Sequence, residues 1–177
     1  MDVLIVVDMQ NDFVSGALGT PEAGEIVPYV VGRVVDGLNR GETILFTRDT
    51  HEANYLETQE GRRLPVPHCI RGTEGWEIVP QLVPDTVGCT VIDKPTFGSR
   101  ELGEELARLN GVEPVERVTL IGLCTDICVI SNALLVKAFL PEAEIVVDAK
   151  CCAGVTPESH QNALEAMQVC QITVENG

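Results

Sequence analysis

The sequence predicts an α/β fold, a three-layer α/β/α sandwich with a six-stranded parallel sheet. Two observations predict it: short β-branched runs that are almost continuously apolar, and helical patterns between several of these runs. Strands that are apolar on both faces are typical of parallel sheets, which helices cover on both sides. With 177 residues, the chain is long enough for one domain, residues 1–177, with a proper core.

Each element is predicted from its local pattern. The expected strands are Val3–Val7, Thr43–Thr47, Cys89–Ile92, Arg117–Ile121, Glu144–Val147 and Gln171–Val174. The expected helices lie near Glu25–Asn39, Arg100–Leu109, Asp126–Phe139 and Pro157–Met167. Gly41 and Gly111 follow two of these helices as stop signals, and Thr156 precedes Pro157 as a cap. We expect the strand order 3-2-1-4-5-6, with the first and fourth strands at the centre of the sheet.

Composition narrows the class of partner. A formal net charge of −15 argues against nucleic acids and anionic membranes, because their phosphates would be repelled. No apolar run has the length of a membrane span, and the first residues lack the basic region of a signal peptide. We therefore expect a cytoplasmic protein, and the net charge does not point to any particular ligand.

Seven cysteines are an odd number for a chain without an export signal, so a disulfide framework is not expected. Five of them are interpreted as reduced, buried and hydrophobic. These five are Cys69, Cys89, Cys151, Cys152 and Cys170.

Cys128 is the candidate nucleophile. It falls in the first turn of the helix after the fourth strand, where free N–H groups and the helix dipole favour a thiolate. Cys124 is a weaker candidate, because it precedes the Thr-Asp pair that caps this helix. Acyl transfer also needs a proton acceptor and donors for an oxyanion. The backbone N–H groups of Cys124 and Cys128 are the candidate donors.

Two charged residues complete a catalytic hypothesis. Asp8 follows the first strand and Lys94 the third, so both are expected at the carboxyl edge of the sheet near Cys128. Asp8 would take the thiol proton, and Lys94 would hold Asp8 in place and lower the cost of its charge. The alternatives are a turn-forming aspartate and a surface lysine. The loop after the first strand has no glycine-rich turn, which argues against nucleotide binding.

A long stretch from residue 49 to residue 84 separates the second and third strands, and loops of this length are usually functional. It contains Asp49, His51 and His68, a ligand set that leaves coordination positions open for water or substrate. Glu60 or Glu57 can add a fourth ligand. The alternatives are solvated side chains on a tolerated surface insertion. The third histidine, His160, is interpreted as a cap or surface residue.

Five passages, spread in order over the chain, resemble the isochorismatase-like cysteine hydrolases and are most similar to the nicotinamidases. The passages are Val6–Phe13, Thr47–His51, Pro67–Gly75, Asp93–Ser99 and Gly122–Val129. The resemblance implies a triad of Asp8, Lys94 and Cys128 that acts through a thioester. It also implies a cis peptide bond at Leu123–Cys124, a homo-oligomer and a role in NAD salvage.

The resemblance further implies a divalent metal ion (zinc, iron or manganese) that binds the pyridine nitrogen of the substrate. The residues that match its ligands are Asp49, His51, His68 and Glu60.

The aromatic residues of the substrate pocket match only in part. Phe13 and Phe97 correspond to residues that pack on the substrate ring. Nicotinamidases usually carry another aromatic residue shortly before the second metal histidine, but here Arg63–Pro67 contains no aromatic residue. This chain also has one more residue between Glu60 and His68 than the nicotinamidase pattern. The third ring is therefore either missing or supplied from elsewhere, for which Tyr55 and Trp76 are the candidates.

The sequence therefore predicts a hydrolase that cleaves a small carboxamide to a carboxylate and ammonia, with nicotinamide as the leading substrate. Another small amide or carbamoyl compound is the enzymatic alternative, with or without a metal. A non-catalytic small-molecule binder or a thiol redox sensor is the alternative of another class. Cleavage of a vinyl ether, the isochorismatase reaction, needs no nucleophilic thiol.

Overall fold

A six-stranded parallel sheet runs through the middle of the protein, and all 177 residues are described by the structure, a computed structural model. The strand order β3-β2-β1-β4-β5-β6 confirms the prediction. The strands are β1 Asp2–Val7, β2 Thr43–Asp49, β3 Thr90–Lys94, β4 Arg117–Leu123, β5 Glu144–Ala153 and β6 Thr173–Glu175. The helices are α1 Asn11–Val14, α2 Pro21–Arg40, α3 Gln59–Arg63, α4 Arg100–Val112, α5 Ile130–Phe139 and α6 Pro157–Val169.

The sheet buries an apolar layer on each face. In β1, Val3, Ile5 and Val7 face the layer formed with α4, α5 and α6, whereas Leu4 and Val6 face the layer formed with α2. Successive side chains of a strand point to opposite faces, so a strand buried on both sides has a continuous apolar sequence. The three predicted layers are therefore confirmed. The structure contains no helix whose length and hydropathy would let it cross a membrane.

Helix capping follows two of the three predicted signals, Gly41 and Thr156, and Thr20 is a cap that the sequence analysis did not name. Thr20 caps α2 by accepting a hydrogen bond from the Ala23 N–H, and Gly41 ends that helix in the left-handed region at φ 75°. Thr156 caps α6 in a reciprocal pair with Ser159. The expectation for Gly111 is wrong, because Gly111 lies inside α4.

The strands differ from the predicted bounds at their ends, and β5 differs most. β5 continues six residues beyond Val147, because a register shift after Leu120 lets Cys152 and Ala153 pair with the end of β4. Asp148 and Lys150 interrupt the apolar run there, so the sequence pattern ends too early. β6 is only three residues long.

The segment 49–84 is an ordered part of the fold. It contains α3 and three short 3₁₀ turns, at Tyr55–Glu57, Glu74–Trp76 and Val83–Thr86. The N–H of His51 donates to the Cys69 carbonyl (2.9 Å), and the N–H of Arg71 donates to the His51 carbonyl (2.8 Å). These bonds fix residues 67–71 beside the end of β2.

Candidate active site

The structure brings Asp8, Lys94 and Cys128 together at the carboxyl edge of the sheet. Lys94 ends β3, Asp8 follows β1, and Cys128 lies in the single π-helical turn Thr125–Val129 between β4 and α5. The Lys94 Nζ lies 2.7 Å from Asp8 Oδ2 and 3.4 Å from Cys128 Sγ. Asp8 and Lys94 are fully buried, and Cys128 is 4% exposed. An acid, an amine and a thiol therefore meet in one water-poor site.

The orientation of Asp8 depends on Thr47, which the sequence analysis did not single out. The Thr47 hydroxyl donates to Asp8 Oδ1 (2.7 Å), and the Asp8 N–H donates to the Thr47 carbonyl (3.2 Å). Asp8 has a φ of 49°, a left-handed conformation that aspartate tolerates better than most residues. The chain turns sharply there, and the carboxylate faces Lys94.

Lys94 is the shared cation of the site. It lies 3.3 Å from Asp49 Oδ1 and donates to the Thr96 carbonyl (3.2 Å) in addition to its contact with Asp8. Burial alone would lower its pKa, but the Asp8 carboxylate and the other anionic neighbours raise it above the ordinary value. Lys94 is therefore an ammonium at neutral pH.

The pKa of Cys128 differs from the expectation for a helix start. Burial and the charge of Asp8 raise it well above its ordinary value, and Lys94 offsets only part of this effect. Burial also raises the pKa of Asp8, against the opposing effect of Lys94. The prediction that the helix start favours a thiolate is thus wrong for the resting site. In the resting site, Cys128 is a thiol, and it lies beside the Asp8 carboxyl group, whose affinity for protons is also increased.

The turn before Cys128 has the backbone geometry that the resemblance implies. The peptide bond Leu123–Cys124 is cis, and the Cys124 carbonyl accepts hydrogen bonds from the N–H groups of Ile127 (3.1 Å) and Val129 (3.0 Å). Gly122 has a φ of 115°, and a Cβ there would overlap the carbonyl oxygen of Val7. Only glycine lets β4 approach β1 so closely.

Asp49, His51 and His68 form a second cluster beside Lys94. Their potential ligand atoms all lie within 4.8 Å of one another, and all three residues are buried. Asp49 Oδ2 is 3.1 Å from His51 Nε2 and 3.6 Å from His68 Nε2. The His68 Nδ1 lies 2.8 Å from the Val66 carbonyl, which can only accept, so a neutral His68 presents an unprotonated Nε2 to the cluster.

A carboxylate and two imidazoles suit a divalent transition metal ion. Glu60 Oε1 lies 3.7 Å from His51 Nε2 and 4.0 Å from His68 Nε2, close enough to serve as a fourth ligand. Glu57, the alternative, is exposed. The donor set therefore fits a metal ion, with Glu60 rather than Glu57 at its side.

A cleft of about 400 Å³ connects the two clusters. Phe13 and Phe97 line it, as the resemblance implies, and Leu64 lies where a third aromatic ring was expected. The other lining residues are Leu18, Asp49, Gln59, Glu60, Arg63, His68, Thr96, Cys124, Ile127 and Cys128.

Neither proposed replacement for the third aromatic reaches this cleft. Tyr55 is buried against the imidazoles of His51 and His68, with ring centroids 4.6 and 5.0 Å apart. Trp76 stacks under the guanidinium of Arg48 (3.7 Å from its ring centroid), and its indole N–H donates to Thr50. The expectation that Tyr55 or Trp76 supplies the missing ring is wrong.

The remaining cysteines and His160 are placed as follows. Cys69, Cys151 and Cys152 are buried and unpaired, as expected, but Cys89 is only half-buried and Cys170 is exposed at the end of α6. His160 is half-buried, and its Nδ1 lies 2.7 Å from the Thr125 hydroxyl. It is therefore neither a cap nor a free surface residue.

Comparison with known proteins gives a family. The Isochorismatase domain matches residues 2–176. A pyrazinamidase of Pyrococcus horikoshii, in complex with zinc, has a TM-score of 0.83 at 33% identity, covering 98% of this chain and 97% of its own. A nicotinamidase/pyrazinamidase of Bacillus subtilis has a TM-score of 0.83 at 30% identity, covering 98% of both chains. An N-carbamoylsarcosine amidase of Thermoplasma acidophilum has a TM-score of 0.78 at 27% identity, covering 98% and 94%. The chain therefore belongs to the isochorismatase family.

Proposed function

We propose that this protein is an amidohydrolase that cleaves a small carboxamide to a carboxylate and ammonia, with nicotinamide as the leading substrate. The contact of the Lys94 ammonium with both the Asp8 carboxylate (2.7 Å) and the Cys128 sulfur (3.4 Å), at the cleft, carries this proposal. The relatives named nicotinamidase or pyrazinamidase support the substrate class.

Cys128 is the proposed nucleophile. Its sulfur attacks the carbonyl carbon of the amide, and its proton passes to Asp8, whose raised pKa makes it a better base than an exposed carboxylate. The C–N bond then breaks, Asp8 gives the proton to the nitrogen, and ammonia leaves an acyl thioester on Cys128. Water then gives a proton to Asp8 and attacks the carbonyl carbon of the thioester, the C–S bond breaks, the carboxylate leaves, and the proton on Asp8 returns to the Cys128 sulfur.

Lys94 and the backbone stabilise the charges of this sequence. Lys94 opposes the effect of burial on the pKa of Asp8 and stays beside the sulfur as its proton departs. The N–H groups of Cys124 and Cys128 are the proposed donors to the oxyanion that forms on the carbonyl oxygen. Residues 1–177 would act as one catalytic domain.

Asp49, His51, His68 and Glu60 are the residues that would hold a divalent metal ion next to the cleft. A bound ion would supply a Lewis acid that fixes the ring nitrogen of a pyridine substrate. Phe13 and Phe97 would then contact the ring, and the ring would point its carboxamide towards Cys128. In this role the enzyme would contribute to NAD salvage.

Ammonia release and an acyl adduct test the proposal directly. Wild-type protein incubated with nicotinamide should release ammonia, and Cys128→Ala should release none, because Cys128 is the thiol in contact with Lys94. Intact mass spectrometry should detect the acyl adduct on the wild-type protein only. The structure of the variant should be unchanged by circular dichroism. Turnover by folded Cys128→Ala protein would contradict the proposal.

Another small amide or carbamoyl compound is the second candidate substrate. The absence of a third aromatic ring from the cleft favours it, and one of the structural neighbours is named an N-carbamoylsarcosine amidase. A panel that compares nicotinamide with aliphatic amides and carbamoyl compounds, combined with measured metal content, would separate the two candidates.

A further inference from the structure

We propose that His160 is a positioning residue for the amide hydrolysis proposed above: it holds the turn that presents the oxyanion donors and Cys128. The inference rests on that proposed function for its kinetic consequence. Its structural basis is a hydrogen bond between two residues that lie far apart in the chain, His160 in α6 and Thr125 after β4.

Thr125, the hydrogen-bond partner of His160, lies between the proposed oxyanion donor Cys124 and the proposed nucleophile Cys128. Thr125 is fully buried, follows Cys124 directly and starts the π-helical turn that contains Cys128. Its hydroxyl lies 2.7 Å from His160 Nδ1, and Thr125 does not line the cleft. This bond therefore acts on the backbone of the turn and not on a substrate.

Contacts at the start of α6 hold His160 in place. Its N–H donates to the carbonyl of Thr156, the residue that caps α6 (2.9 Å). A Cβ at Gly154 would lie 2.9 Å from the backbone of His160, so the segment before α6 packs directly on this residue. The imidazole is thus carried by the rigid first turn of a capped helix.

A second contact joins the same two segments. The carboxylate of Asp126, the residue after Thr125, accepts the N–H of Val155 at 3.1 and 3.3 Å. Two successive residues of the turn are therefore fixed by the entry to α6.

The kinetic consequence follows from geometry. Oxyanion donors act only when they lie at the position of the developing charge, and a small displacement removes much of their effect. Loss of the His160 bond should lower kcat about 10–100-fold, the range seen for displaced catalytic groups. KM should stay within about twofold, because neither His160 nor Thr125 contacts the cleft.

Four variants test the inference. His160→Leu removes the polar atom, and His160→Asn restores an amide near the position of Nδ1. Thr125→Val removes the bond from its other end. Gln161→Ala is the matched control, because Gln161 is the next residue of α6, is exposed and has a side chain that hydrogen-bonds to Glu165 and not to the turn. We expect His160→Leu and Thr125→Val to lose kcat, His160→Asn to recover most of it, and Gln161→Ala to match the wild type.

Alkylation of Cys128 provides a readout that needs no substrate. A loosened turn should expose the thiol, which is 4% exposed in the intact site, so iodoacetamide should modify it faster in His160→Leu. Peptide mass spectrometry distinguishes Cys128 from the exposed Cys170. If wild-type protein hydrolyses no amide, the proposed function fails, and the alkylation rates still decide the role of His160.

The double variant of His160→Leu and Thr125→Val should be no worse than either single variant, because both break the same bond. Wild-type kcat and alkylation rate in His160→Leu would overturn the inference. So would equal losses in His160→Asn and His160→Leu, which would indicate a general packing role. If His160→Leu does not fold, Thr125→Val and its conservative counterpart Thr125→Ser carry the same comparison.

Discussion

Two buried carboxylates, one ammonium and one thiol lie within contact of one another in this site, and their charges control each other. Lys94 touches both Asp8 and Asp49, so a single positive charge compensates two negative ones. Cys128 therefore keeps its proton in the resting site, because burial and Asp8 raise its pKa. In the proposed mechanism, the reactive pair is therefore the Cys128 thiol with Asp8 as its base, and not a preformed thiolate.

Asp8→Asn separates the proton-transfer role of Asp8 from its electrostatic effect on the thiol. The carboxylate raises the pKa of Cys128, so its removal should lower that pKa, because Lys94 remains beside the sulfur. Alkylation of Cys128 should then shift to lower pH, while ammonia release should fall by at least about 100-fold with the loss of the base. Rates of alkylation against pH, measured by peptide mass spectrometry, test the sign.

Asp36→Asn is the control for that experiment, because Asp36 is an exposed carboxylate of α2. It should change neither the alkylation profile nor turnover. A profile for Asp8→Asn that moves to higher pH would show that Asp8 does not govern the charge of Cys128.

At the scale of the elements, the predictable parts are those set by local pattern. Apolar runs gave the strands, and Thr20, Gly41 and Thr156 act where capping chemistry places them. The length of β5 could not be predicted, because it depends on a register shift against β4 that places charged residues in a strand. Gly111 is also misassigned from local pattern, because a glycine within a helix cannot be distinguished by sequence alone from a glycine that ends one.

Two glycines provide a matched test of the backbone. Gly122→Ala should unfold the protein or destabilise it by several kcal/mol, on the order of 3 or more, because the residue has positive φ and its Cβ would overlap Val7. Gly111→Ala should stabilise the protein by about 0.5–1 kcal/mol, since it lies in α4 with open space around it. Chemical denaturation measures both, and equal effects would contradict this account of the β1–β4 contact.

At the scale of the whole molecule, the candidate site exists only through the fold. Its residues come from the ends of β1, β2 and β3, from the turn after β4 and from the segment 49–84. Parallel strands place their carboxyl ends at one edge, so the convergence of Asp8, Lys94 and Cys128 could be predicted from strand order. The hydrogen bonds of Thr47 and His160 could not, because they join segments that lie far apart in the chain and no spacing between the partners marks them.

The candidate metal ligands Asp49, His51 and His68 link the end of β2 to residues 67–71, so a bound ion should stabilise the whole molecule. Chelation should lower Tm, because an ion that binds only the folded chain adds its binding free energy to stability. Glu60→Gln should weaken metal binding about 10–100-fold, because the Glu60 Oε1 lies 3.7 Å from His51 Nε2, and it should reduce the effect of the chelator.

Glu57→Gln is the matched control, because Glu57 is exposed and lies three residues earlier in the same segment. This variant should bind metal as the wild type does. Metal content after dialysis and Tm with and without chelator measure both variants. Equal metal affinity in Glu60→Gln and Glu57→Gln would limit the site to Asp49, His51 and His68.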